Sequence, residues 1–181
     1  YHDVYGAFPP SYTVDADGKP LHSWRTLILP YLDQKSLYDK IDLSKAWDDP
    51  ANAEAFKTNI PSLLCPSVAC PPGHTTYLAM MTPESCLRPG ASCSIAEVKD
   101  GTSNTVLVIE VDTAHAVPWM APTDADEVLL LSFGPKSKPS HTGGFHALLG
   151  DGAVRFLSEN LSNDTRRALT TAAGGETVGD F

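Results

Sequence analysis

Two apolar runs between Phe145 and Ser158 are divided by Asp151-Gly152, and this stretch constrains the fold more than any other. Asp-Gly between such runs signals a tight antiparallel hairpin, because a type I′ turn needs positive φ at both central residues. A two-residue turn pairs Leu149 with Val154 and Ala147 with Phe156. Phe145, Ala147, Leu149, Val154 and Phe156 then share the core face, and His146 falls on the other face beside Leu148, Arg155 and Leu157. His141 lies at the far end of the first strand. At ~3.3 Å per residue an extended segment puts it roughly 30 Å from Asp151. A direct His–Asp dyad is therefore not expected. His141 is read as ordering a loop and Asp151-Gly152 as making a turn.

Upstream, Trp24, Leu27, Ile28 and Tyr31 fall at helical spacing within Ser23–Leu32, with Pro30 set to kink or end the helix. A short helix is expected over Ser36–Ile41. Asp49 followed by Pro50 marks another helix start. Tyr1–Tyr5 reads as the end of a helix closing on Gly6, which implies a helix continuing upstream. Strands are expected over Thr76–Met80, Thr105–Val111 and Val128–Phe133. Ser162 or Asn163 caps a last helix over Asp164–Ala172. Helices first and strands later, without βαβ alternation, predict an α+β fold with an antiparallel sheet. One domain over 1–181 is expected: a helical part at 1–59, a Cys/Pro-rich loop region at 60–99, and sheet with a final helix at 100–181.

The formal net charge of −9 argues against nucleic acid and anionic membrane as partners. No apolar run is long enough to span a bilayer. Cys65, Cys70, Cys86 and Cys93 cluster in one loop-rich stretch, which fits two disulfides in an oxidising compartment. Four cysteines allow three connectivities, of which the local pairs Cys65–Cys70 and Cys86–Cys93 are favoured. Their spacings lack the tight C-x2-C knuckles of a zinc site, and His74 is the only nearby imidazole. Asp100, Thr102 and Asn104 offer the short side-chain oxygens that can take Ca²⁺, though without EF-hand spacing, and turn formation is their simpler use. No resident cofactor and no catalytic constellation are expected. Loops around Trp47 and Trp119 could frame a glycan or peptide groove.

Several blocks together resemble the bacterial prepilin-like H-x9-DG family, a domain of unknown function. They are Tyr1–Pro10, His22-Ser23-Trp24-Arg25 through Leu32, Trp47–Asn52, Cys65-Pro66-Ser67, Asp100–Thr105, Pro118-Trp119 and His141…Asp151-Gly152, in the family's order. Cys70, Cys86 and Cys93 are additional to that pattern. The resemblance implies a pilin-like head. A helical spine, truncated here at its N-terminal end, would pack on an antiparallel sheet with long loop decorations. It also implies export to the periplasm or cell surface on an upstream anchoring helix, and assembly with other pilin-like subunits through that helix. The expected role is structural, in a type IV pilus or type II secretion-like assembly, not enzymatic. The alternative is a surface-anchored ligand-binding protein.

Overall fold

The computed structural model describes residues 1–134, 137, 140–179 and 181. Its architecture is α+β, with short helices around antiparallel sheets. Helix α1 (His2–Tyr5) is a single turn that ends on Gly6 at φ 70°, the left-handed cap expected there. Strand β1 (Tyr12–Val14) pairs with β2 (Pro20–Ser23), which delivers the chain to α2 (Trp24–Ile28). Ser23 Oγ accepts from the Arg25 amide at that helix start. Pro30 cannot donate, and the chain tightens into a 3₁₀ turn over Leu29–Tyr31. Helix α3 (Lys35–Tyr38) follows. Asp49 then caps a 3₁₀ turn at Pro50–Asn52 that runs into α4 (Ala53–Phe56).

The main sheet has four strands in the order β4 (Tyr77–Ala79), β5 (Val106–Glu110), β7 (Gly144–Leu149), β8 (Val154–Ser158), every pair antiparallel. A separate small ladder joins β3 (His74–Thr75) to β6 (Val117–Pro118). One face of the main sheet carries Leu78, Ile109, Phe145, Ala147, Leu149 and Leu157 into the largest apolar core. Two helices close that core, α5 (Glu127–Ser132) and α6 (Asn163–Ala168). The run Val128–Phe133, expected as a strand, is therefore helical at α5. Asp126 accepts from the Leu129 amide and starts the helix, and Leu130 is buried while Val128 is exposed. Ser162 caps α6, and the buried Arg166 donates to the Leu130 and Phe133 carbonyls at the end of α5. These two helices have six residues each, and no described helix is longer, so no helical spine lies within the described residues. Among them, no helix is long and apolar enough to cross a membrane.

The hairpin forms, but one residue out of the expected register. Leu148 pairs with Val154, Ala147 with Arg155 and Phe145 with Leu157. The connection is a three-residue loop, Gly150-Asp151-Gly152. The Gly152 amide donates to Leu149 O, and the Leu149 amide to Ala153 O. Gly152 has φ 85°, whereas Asp151 is not in the left-handed region, so the turn is type I with a bulge and not type I′. A one-residue slip exchanges the faces of β8. Leu157 enters the core, and Val154 and Phe156 turn to the opposite face.

His22 on β2 is fully buried. Burial pushes its imidazole below the usual value, opposed in part by the backbone of Lys45 and Asp42. The unfolded chain takes up this proton near about pH 6.5 and the folded chain resists it. The neutral ring's contribution is thus complete above that pH and is lost as the pH falls below it. Urea unfolding from about pH 7 to about pH 5 should show declining stability, with a shallower decline in His22→Gln. An unchanged slope in the variant would rule this out.

Candidate functional site

The face of the main sheet opposite the large core bears two cross-strand rows. Ala79, Val108, Leu148 and Val154 make one. Tyr77, Glu110, His146 and Phe156 make the next. Tyr77 pairs with Glu110 and His146 with Phe156. Continuing the β5–β7 register by one residue sets Glu110 opposite His146. Glu110 faces this way because β5 carries a bulge between Val106 and Val108. The extra residue inverts the strand's odd–even pattern. Val106 stays in the large core, while Val108 and Glu110 turn to the other side.

Two loops complete the site. Thr75 Oγ1 donates to Leu63 O and holds the segment that ends in Cys65-Pro66-Ser67 over the sheet. Before β7 the chain doubles back at Gly143, φ 87°, so that His141 bridges to Gly144 and does not extend away. Ser140 Oγ, donating to Val111 O, fixes that return beside the end of β5. The His141 ring packs edge-on against His146, centroids 4.5 Å apart.

Glu110 is 3 % exposed, yet its carboxylate has no Lys or Arg partner among the described residues. It is held by two imidazoles: His141 Nε2 lies 3.0 Å from Oε1 and His146 Nδ1 lies 3.1 Å from Oε2. Cys65 Sγ lies 3.7 Å from the same His141 Nε2. Burial pushes the Cys65 thiol up, and Glu110 beside it adds to this. Burial, with Glu110 and Cys65 adding to it, raises the Tyr77 hydroxyl to about 12. This is not a thiol–imidazole–carboxylate relay, which needs the thiol on one ring nitrogen and the acid on the other. Here both converge on one nitrogen, and the thiol is held protonated.

A cavity of about 540 Å³ opens above this cluster. Its walls are apolar, from Trp24, Ile28 and Leu32 on one side and Val108, Leu148 and Val154 on the other, and its floor is Cys65, Glu110, His141 and His146.

The residues singled out in the sequence are distributed differently. Asp151 sits at the hairpin tip, where its Oδ1 accepts from the Ala153 amide, and His141 stands at the opposite end of β7 with Glu110 and Cys65. Asp100 spends its carboxylate on Thr171 Oγ1 and on the Gly174 and Gly175 amides, a set of donors and not a cage of oxygens. Asn104 donates to Asp100 O, and Thr102 O accepts from the Asp151 amide. The expected Ca²⁺ candidates thus clasp the chain's end and the hairpin tip. All four cysteines are free thiols, so neither expected bridge is formed. Cys65 lines the cavity, with its Sγ beside His141. Cys86 and Cys93 are both buried, and burial together with the adjoining Cys93 pushes the Cys86 thiol up. Trp119 is buried, donating to Phe56 O, and Trp47 packs edge-on against Phe56. It is Trp24, not the loops at Trp47 and Trp119, that lines the cavity.

Residues 1–86 match the model of a protein family of unknown function, DUF1559. That span includes the Ser23-Trp24-Arg25 block and Cys65, while Glu110, His141 and His146 lie outside it. No curated protein and no solved structure matches the chain.

Proposed function

We propose that this chain is the exported head of a pilin-like surface protein, and that the head binds a ligand in the cavity over Glu110 without transforming it. The observation that carries the reading is the cavity itself. Its volume lies within the range usual for small-molecule sites, and apolar walls over a few convergent polar groups are the usual composition of such sites. The lining favours a ligand with an apolar body and a polar end reaching Glu110 and the two histidines. A sugar with hydroxyls on every edge is a poorer fit to these walls. The order of the sequence blocks supports the pilin-like part. Titration with Nile red should give saturable fluorescence in the wild type. Leu148→Arg, which places a charge on the cavity wall, should weaken it by at least about tenfold, with circular dichroism unchanged. Absence of saturable binding, or equal binding in a folded Leu148→Arg protein, would reject the reading.

Assembly into a pilus or secretion-like filament is a second reading, favoured by one feature. Val4 and Tyr5 on α1 and Tyr31 nearby are exposed apolar surface, with the Tyr1 ring packed against both tyrosines. Cysteine cross-linking from position 4 of the full-length protein on cells should give a ladder of multimers if this face joins subunits.

A further inference from the structure

The floor of the cavity has a property that an organic ligand does not require. Cys65 Sγ, a Glu110 carboxylate oxygen and His141 Nε2 all lie within 4.8 Å of one another. Three different metal-ligand atoms, brought from a loop, a strand end and a second loop, point at one spot. We propose that Cys65, Glu110 and His141 form a three-ligand site for a borderline-soft divalent ion of the zinc class, with the fourth position open to the cavity. The site rests on the cavity reading for access alone; its donor geometry stands independently.

The distances fit the ion. Zn–S of about 2.3 Å and Zn–N of about 2.05 Å at a tetrahedral angle place sulfur and nitrogen about 3.6 Å apart. Cys65 Sγ and His141 Nε2 are 3.7 Å apart. For nitrogen and oxygen ligands the same arithmetic gives about 3.3 Å, against 3.0 Å between His141 Nε2 and Glu110 Oε1. These two edges of the triangle need shifts of only a few tenths of an ångström to admit an ion, and the third, from sulfur to the carboxylate oxygen, lies within 4.8 Å. The mixed sulfur, nitrogen and oxygen set excludes Mg²⁺ and Ca²⁺, which take oxygen ligands. Three protein ligands and an open fourth position are the pattern of sites that take up an exogenous group, in contrast to closed structural sites. His146 lies outside the trio, but its Nδ1 meets Glu110 Oε2 and orients that ligand from behind. A divalent ion also answers the question raised by a buried carboxylate that has no Lys or Arg partner among the described residues.

The test uses reduced, chelator-stripped protein with Cys70→Ser as background, so that the half-exposed Cys70 does not contribute. CoCl2 should give a near-ultraviolet thiolate-to-cobalt charge-transfer band at one equivalent, with the strong visible bands of four-coordinate cobalt. ZnCl2 should bleach both. Cys65→Ser should abolish the charge-transfer band. His141→Ala and Glu110→Gln should each weaken Zn²⁺ binding by at least about a hundredfold, and His146→Phe by about 10–100-fold. No charge-transfer band, a band that persists in Cys65→Ser, or unchanged Zn²⁺ affinity in His141→Ala would each overturn the proposal. Nile red binding is measured on the same samples, so loss of the metal site with dye binding retained is distinguishable from failure of the cavity reading.

Discussion

Arg25→Ala is expected to cost about 3–5 kcal/mol of folding stability, the range for breaking a buried ion pair from one side. Arg25 and Asp124 are both fully inaccessible and are joined through Nη2 and Oδ1. Arg25 Nε also donates to Tyr77 O, and Nη1 to Ser23 Oγ. Asp124 Oδ1 in turn accepts from the Ala79 amide and from Trp24 Nε1. One guanidinium thus fastens the start of α2, the edge strand β4 and the loop before α5. Truncating it strands a carboxylate in the interior. The double change Arg25→Met/Asp124→Asn removes both charges but keeps an acceptor for Ala79 and Trp24, and should recover more than half of the loss. Urea unfolding of the three proteins decides the matter. A loss below about 1 kcal/mol in Arg25→Ala, the scale of a solvated surface pair, would show that the pair is not the clamp described.

Gly144→Ala should cost about 3 kcal/mol, the top of the usual range for overpacking, because the obstacle is backbone. A Cβ at Gly144 would run into the Leu157 carbonyl oxygen and come within 2.9 Å of Phe156 Cζ. The Phe156 ring, half exposed, can swing aside, but the Leu157 carbonyl is backbone and cannot. The strand pair β7–β8 must separate at the position where His141 returns to the sheet, so the substitution should also lower dye and cobalt binding. Gly143→Ala is the internal control. It has φ 87° and open space around it, so it should cost only about 1–2 kcal/mol through the left-handed backbone. Equal losses at the two positions would contradict the close approach.

Much of the local structure was legible in the sequence because it follows from local chemistry. Asp49-Pro50, the Ser162 cap, Gly6 and the β-branched run of β5 all act within a few residues of themselves. Two readings failed for identifiable reasons. Val128–Leu131 is apolar enough for a strand, but the Asp126 cap decided for helix. Asp-Gly suits a two-residue turn, yet a single left-handed glycine, Gly152, also closes a three-residue loop, and with that one residue the faces of β8 exchanged. The candidate site was less legible. Its members are Cys65, Glu110, His141 and His146, and only long-range pairing brings them together. His141 does lie far from Asp151, at the opposite end of β7, but an extended chain could not foresee the turn at Gly143 that returns it to Glu110 and Cys65. One signal was present: Glu110 closes a run of aliphatic residues, and a carboxylate at the end of a buried strand needs a partner.

The bulge in β5 has a consequence for how such a chain tolerates change. A strand alternates like an odd–even count, and here the count is deliberately broken between Val106 and Val108. Exchanging one aliphatic residue for another at these positions leaves the alternation intact. Deleting the extra residue, Leu107 or Val108, heals the bulge and leaves Val106 in the large core and Glu110 opposite His146, whereas deleting Ile109, beyond the bulge, carries the carboxylate into the greasy interior. The bulge is therefore the one place in this strand where a letter can be dropped without rewriting the polar floor, and beyond it the number of letters is fixed while their spelling can drift.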